Sequence, residues 1–354
     1  MLQKITLCSV ALFGLNTAFT QDSSGTTSLA ITGFADVYYK YDFARTKANN
    51  LTSFTSSHNS FEPGMASVKF DYKTSKVQLV GDFGIGKRAE EFSYNDEGVL
   101  SAIKQLYISY LPASWIKLTA GTWATHVGYE LVDANLNRNY SMSYMFTSGP
   151  FFHTGVKMEA TYGSSGFMIG LTNPTDFKYV PEGYTNNKFF IAQYSFAPTD
   201  IFKAYFNYVG GEGTDTTKSK QFDLVLTSKI SDKVSIGYNG TLARVKSYLG
   251  NKLYDDEKSW WGSALYLNVD PTNSFGLTLR SEYFSDKNSL KMFGSQPEGG
   301  SIWASTLSAN LKVDKLIFIP EFRVDQASKT LFINQDGDPV KTSANILFAA
   351  IYQF

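Results

Sequence analysis

From residue 29 onward, apolar and polar side chains alternate. Val68, Phe70 and Tyr72 enclose Lys69 and Asp71, while Val156, Met158, Ala160 and Tyr162 enclose Lys157, Glu159 and Thr161. Phe202, Ala204, Phe206 and Tyr208 alternate with Lys203, Tyr205 and Asn207, and Phe318, Pro320, Phe322 and Val324 alternate with Glu321, Arg323 and Asp325. A period of two places successive side chains on opposite faces of a strand. One face is apolar and the other charged, so the charged face meets water and the apolar face meets lipid or a core. Alternation alone does not separate a membrane barrel from a soluble sandwich.

The pattern predicts sixteen strands, near 29–43, 65–73, 76–87, 101–111, 115–123, 153–162, 166–173, 188–197, 201–210, 219–229, 233–245, 259–269, 274–285, 300–313, 315–325 and 342–354. Their connections alternate strictly in length. Thr74-Ser75, Pro112 to Ser114, Gly163 to Ser165, Ala197 to Asp200, Ile230 to Asp232, Asp270 to Asn273 and Asp314 are short; 44–64, 88–100, 124–152, 174–187, 211–218, 246–258, 286–299 and 326–341 are long. Short turns on one side, long loops on the other and both termini on the turn side are the asymmetry of a bacterial outer-membrane barrel. The fold class expected is therefore all-β, a transmembrane antiparallel β-barrel of about sixteen strands.

Aromatic placement agrees. Tyr72, Trp115, Tyr162, Phe167, Phe196, Phe202 and Phe275 fall on the apolar parity beside short turns, where an interfacial girdle belongs. Lys104 and Arg244 break the parity rule near loop-side strand ends, where lipid phosphates could pair with them. Ile346, Phe348, Ala350, Tyr352 and Phe354 share one parity and end on an aromatic. That ending resembles the C-terminal signature by which the barrel assembly machinery recognises its clients, making Tyr352 and Phe354 the expected assembly signal.

Composition narrows the class further. Thirty-two basic side chains balance 32 acidic ones, so no cationic surface is available for a nucleic-acid partner. Residues 1–20 read as a signal peptide, with Lys4, an apolar run from Ile5 to Leu15 and small residues before Gln21. Cys8, the only cysteine, lies inside that segment, so residues 21–354 carry no thiol and are read as one barrel domain. Nothing after residue 20 approaches the length of a membrane helix. The short stretch ahead of the first strand leaves no room for a plug domain.

Candidate chemistry is sparse, and neither a cofactor nor a metal site is expected. Gly81 to Lys87 matches most of a phosphate-binding loop, but Arg88 stands where Ser or Thr should hold magnesium, and 89–96 reads as an acidic loop. His58, His126 and His153 have no metal-ligand spacing and are read as loop or rim residues. A hydrolytic grouping of Ser141 or Ser143 with His126 and Asp133 is conceivable at the rim, though nothing favours it over solvated loop polarity. The acidic loop tips 254–257 and 334–338 lack calcium-loop spacing.

The third long loop, 124–152, is the longest, and unstructured loops of that length are usually functional. Gly121-Thr-Trp123, Gly128-Tyr-Glu130, Asn139 to Tyr144 and Pro150 followed by His153-Thr-Gly155 resemble the beta-barrel porins of the OmpL-like type, over roughly residues 30 to 180. The resemblance implies a channel in the bacterial outer membrane. The loop also looks like the inward-folded constriction loop of sixteen-stranded porins, with Glu130, Asp133 and Arg138 narrowing the bore.

A barrel of sixteen strands is wide enough for an aqueous channel. Its expected role is passive diffusion of small hydrophilic solutes, without chemistry. The pore wall is the charged parity, with Lys40, Lys69, Lys117, Lys157, Lys203, Arg280 and Arg323 against Asp36, Asp71, Asp82, Glu159, Asp223, Glu282, Glu321 and Asp325. Near-balance implies weak ion selectivity unless the signs segregate around the wall. Phe34, Tyr38, Tyr107 and Tyr205 offer stacking faces for a sugar-specific variant. Lipid and lipopolysaccharide are the expected surroundings, and a homotrimer stays open.

Overall fold

The computed structural model describes residues 27–250, 253–294, 296 and 298–354; the signal segment with Cys8 lies outside them. Strand pairing follows the alternation, giving β1 (Ser28–Asp42), β2 (Ser60–Lys73), β3 (Val77–Ile85), β4 (Ile103–Ala113), β5 (Ile116–Ala124), β6 (Phe152–Tyr162), β7 (Ser165–Thr172) and β8 (Phe189–Phe196). The second half holds β9 (Phe202–Glu212), β10 (Lys218–Lys229), β11 (Val234–Lys246), β12 (Lys258–Thr272), β13 (Phe275–Asp286), β14 (Gly300–Val313), β15 (Leu316–Ala327) and β16 (Thr342–Gln353). Each pairs antiparallel with its sequence neighbours, and β16 returns to β1 to close the barrel. Closure leaves no strand edge with unpaired backbone groups, which hydrocarbon would not tolerate. It is completed by two bonds: the Gly33 N–H donates to the Phe354 carbonyl at 3.1 Å, and the Phe354 N–H to that of Gly33 at 3.0 Å.

The outward parity is exposed and apolar all round, including Phe70, Ile108, Val156, Phe206, Leu279 and Phe348. In water such a surface would be an aggregation liability; in a membrane it is the lipid face. Tyr72, Trp115, Tyr162 and Phe167 are exposed beside the short turns, while Phe196, Phe202 and Phe275 are half-buried. Buried apolar clusters lie inside the barrel instead, where Tyr144, Met145 and Tyr140 from the 125–151 loop meet strand residues such as Trp260, Tyr266 and Phe34.

Two register shifts change the sequence reading. Pairing of Ala35 with Ala66 gives way to Val37 with Pro63, and the ladder continues to Ser60, so β2 starts five residues before the alternation suggests. Pro63 has no N–H to donate and sits at the irregularity, where it costs least. The second shift, between Asp82 and Phe83, skips from Gln105 to Ile103. Lys104 and Gln105 are consequently both buried, and Lys104 is 1% exposed. The expected lipid contact of Lys104 is thereby overturned: its ammonium binds Ser67 Oγ at 2.8 Å and pairs with Asp82 and Asp133 inside the barrel. Arg244 does face outward.

Residues after Gly86 also depart from the expected acidic loop and form helix α1 (Lys87–Phe92). Arg88, Ala89 and Phe92 are its buried residues. The Arg88 guanidinium lies 5.0 Å from the Phe54 ring centre and 4.6 Å from that of Tyr140. Tertiary contact rather than local propensity accounts for so short a helix.

Candidate channel constriction

The loop between β5 and β6 turns into the barrel, and Tyr140, Met142 and Tyr144 are fully enclosed. Apart from a turn of 3-10 helix (Ala134–Leu136) and the short α2 (Tyr144–Ser148), this stretch has no repeating backbone structure. Buried backbone groups need partners, and irregular chain cannot supply its own. Wall carboxylates accept from its N–H groups: Glu321 on β15 from Tyr140 at 2.9 Å and Ser141 at 3.3 Å, and Glu282 on β13 from Tyr144 and Met145 at 2.8 Å each. Arginines donate to its carbonyls, Arg280 to Ser141 at 2.6 Å, Arg323 to Met142 at 2.7 Å and Arg88 to Val132 at 3.2 Å.

Side chains complete the lattice. Glu130 pairs with Arg280 and accepts from the Ser143 N–H at 2.8 Å. Arg323 binds Asp325 at 2.8 Å, and the Tyr144 hydroxyl donates to Asp325 at 3.0 Å. The Tyr140 hydroxyl donates to Asp36, whose other oxygen accepts from the Met65 N–H at 3.1 Å. Charges spaced two residues apart on a strand, which the sequence offers as pore wall, here hold a folded-in loop.

The predicted wall residues divide into two groups. Asp36, Lys40, Asp82, Asp223, Arg280, Glu282, Glu321, Arg323 and Asp325 are buried. Lys40 reaches Asn50 and the Thr55 carbonyl of the first long loop. Asp82 accepts from Ser67 and Gln105, and Asp223 from the Gly128 N–H and Asn207. Lys69, Asp71, Lys117, Lys157, Glu159 and Lys203 stay partly exposed. Glu159 sits between Lys117 at 2.9 Å and Lys157 at 3.5 Å, and Asp71 pairs with Lys73 at 3.1 Å.

The three loop charges are each committed to a partner. Arg138 grips Asp270 through two bonds of 2.7 and 3.0 Å, Asp133 meets Lys104, and Glu130 meets Arg280. Of the aromatics considered for stacking, Phe34, Tyr38 and Tyr205 are buried, Tyr38 with its ring 5.4 Å from Tyr140, and only Tyr107 remains half-buried.

The hydrolytic grouping does not converge. His126 Nε2 lies 3.1 Å from the Tyr208 carbonyl, Ser141 Oγ faces Arg280, Ser143 Oγ accepts from the Phe146 N–H, and Asp133 is held by Lys104. His126 and His153 are not rim residues: their rings lie 5.1 Å apart, tilted by 43°, inside the barrel, because His153 occupies the inward parity of β6 and the loop carries His126 in with it. His58 does sit near the rim, accepting from the Asp42 N–H at 3.2 Å.

Further contributors escaped the alternation. A Cβ on Gly64 would sit 1.9 Å from Asp36 Oδ2, and one on Gly262 would sit 2.4 Å from Met145 Cγ. Glycine on a strand where a loop side chain, Tyr140 or Met145, approaches closely is the available signal. In the fourth long loop, Asp176 accepts from the Phe151 and Phe152 N–H groups at 2.7 and 3.0 Å and from the Tyr94 hydroxyl at 3.0 Å. Burial pushes this carboxyl up to about 6, against the opposing pull of those donors.

Solved porins share this architecture. An anion-selective porin from Comamonas acidovorans superposes with a TM-score of 0.62 at 8% identity, over 93% of this chain and all (100%) of its own. OmpT of Vibrio cholerae gives 0.58 at 11% identity, over 94% of this chain and 99% of that one. The outer-membrane channel DcaP of Acinetobacter baumannii gives 0.60 at 10% identity, over 93% and 97%. At such identities the likeness concerns the fold. No curated protein sequence matches the chain. The family model described as Putative beta-barrel porin-2, OmpL-like matches residues 28–354, all sixteen strands included, and the chain belongs to that family of bacterial outer-membrane porins.

Proposed function

We propose that the inward-folded loop is the constriction of this porin, and that solutes pass between it and the wall formed by β2, β5, β6 and β9. Support comes from which wall charges the loop covers. On β1, β13 and β15 it takes up Asp36, Glu282, Glu321 and Asp325 along with two arginines. On the facing strands, Lys69, Lys117, Lys157 and Lys203 stay partly exposed against Asp71 and Glu159. Near-neutrality of the whole wall thus becomes a net positive lining on the free part, where low-dielectric surroundings extend the reach of each charge. The substrate class that follows is small hydrophilic solutes, anions ahead of cations.

Toward the loop side, a cavity of about 310 Å³ lies among Ser53, Glu91, Tyr94, Thr147, Phe151 and Lys291 and is a fitting entry vestibule. The sugar-channel reading is weaker, since Phe34 and Tyr38 pack beneath the loop. With the Ser141, His126 and Asp133 side chains engaged elsewhere, no reaction is assigned.

Reversal potential across a planar bilayer under a potassium chloride gradient tests this. The parent channel should favour chloride, and Lys117→Glu with Lys203→Glu should move the potential toward cation preference. Steps of conductance with an unchanged potential in that variant would place the path elsewhere; absence of conductance steps would remove the channel reading itself.

A further inference from the structure

On the outward face, at the loop-side ends of β10 and β11, four cations meet. Lys218 pairs in register with Lys246, and Lys220 with Arg244. All four are exposed and share the parity of the lipid-facing Phe222 and Leu242. Like charges directly opposite each other in a sheet repel, so the array carries a cost that an anion would offset. Partial relief is local: Lys218 reaches Glu212 at 4.0 Å and lies 4.1 Å from the Tyr254 ring centre, and Arg244 reaches Glu257 at 3.3 Å. Lys220 and Lys246 have no carboxylate or hydrogen-bonding partner among the described residues.

What lies below the array matters as much as its charge. Phe222 pairs with Tyr208 on one side and Leu242 on the other, and Leu242 pairs with Trp261. Phe222 and Trp261 are exposed, and the Tyr208 and Phe222 rings lie 5.2 Å apart. Cations above an aromatic and aliphatic strip match a molecule with anionic headgroup oxygens above acyl chains. The long-loop rim faces the cell exterior in outer-membrane barrels, so the adjoining leaflet is the outer one.

We propose that Lys218, Lys220, Arg244 and Lys246 form a binding site for the phosphate groups of an acylated outer-leaflet lipid, which in a bacterial outer membrane is lipopolysaccharide. The proposal rests on the barrel's place in that membrane. It is independent of where solutes cross the lumen. Clustered basic side chains at a membrane surface attract anionic headgroups additively, and Arg244 can bind two phosphate oxygens at once.

The test uses folded, detergent-solubilised full-length protein and purified lipid A. Parent and Lys220→Gln/Arg244→Gln/Lys246→Gln variants are compared by native mass spectrometry for retained lipid and by titration for affinity. The substitutions are on exposed rim positions, and heat-modifiable migration verifies that the barrel is intact. Parent protein should retain lipid A, bind a dephosphorylated form at least about tenfold more weakly, and lose a similar factor in the triple variant. Lys76→Gln/Lys315→Gln, on the opposite rim, should bind as the parent does. Equal binding of lipid A by parent and triple variant, or of the phosphorylated and dephosphorylated lipids, would overturn the proposal. So would full displacement by inorganic phosphate at equal concentration, which would identify a simple anion site.

Discussion

Arg280 ties the folded-in loop to the barrel wall. It pairs with Glu130 and donates to the Ser141 carbonyl and Thr306 hydroxyl. Removing one member of a buried pair leaves the other uncompensated, at roughly 3–5 kcal/mol. Arg280→Met should therefore loosen the loop while the strand ladder persists: heat-modifiable migration is retained, protease cleaves within the loop, and conductance becomes higher and noisier. Full protease protection in that variant would refute the tether. Asp176 gives a pH-dependent counterpart. Its raised folded-state value means the native state binds the proton more tightly than the unfolded chain, so its contribution to stability is complete below the ordinary carboxylate range and is lost as pH rises through about 6. Asp176→Asn keeps a residue tolerant of the left-handed backbone found there, φ 64°. Thermal melts should show variant minus parent stability increasing from pH 4 to pH 8, and a constant difference would mean that the carboxyl does not titrate in this range.

At the scale of elements, the proposed constriction is a loop whose backbone groups are completed by strand side chains. That dependence should run one way, because the ladders of β13 to β14 and β15 to β16 are made between strands and do not involve the loop. Excising Val132 to Tyr144 should preserve the barrel, expose Glu282, Glu321 and Arg323 to water, and raise single-channel conductance about severalfold as the bore opens. Parent-like conductance would place the loop outside the permeation path. Gly64 tests the same contact from the wall. Gly64→Ala puts a methyl group against Asp36 and the Tyr140 hydroxyl, so it should loosen the loop without shifting the neighbouring register, measurable as faster proteolysis at 132–144. Strand positions were legible from alternation, but the bulges beside Asp36 and Lys104 were not. A bulge conserves apolar composition while changing which face a side chain occupies.

Over the whole molecule, closure depends on the last residues meeting the first strand. Tyr352 and Phe354 are exposed on the outer face, and a Cβ on Gly33 would lie 2.5 Å from the Phe354 ring. Deleting Phe354 removes both backbone bonds to Gly33 together with the terminal aromatic. The yield of heat-modifiable barrel in membranes should fall in cells, and an unchanged yield would show that this residue is no assembly signal. Topology predicts that an epitope at Asp336, on an exposed loop tip, is reached on intact cells, whereas one at Ser164, in a turn, is not. Labelling at Ser164 would invert the barrel.

Alternation and loop-length asymmetry determined the strand number and the closed barrel, because a membrane fixes one solvent for each strand face and a period of two is visible locally. Which wall charges the loop covers was decided only by tertiary structure. Glu321 and Lys203 look alike on their strands, each a charge on the inward parity, yet one is covered by the loop and the other is not. The difference lies in contacts between residues far apart in the chain, such as Tyr140 with Glu321 and Arg138 with Asp270. Those contacts arise because an irregular loop buried in the bore must find donors and acceptors outside itself.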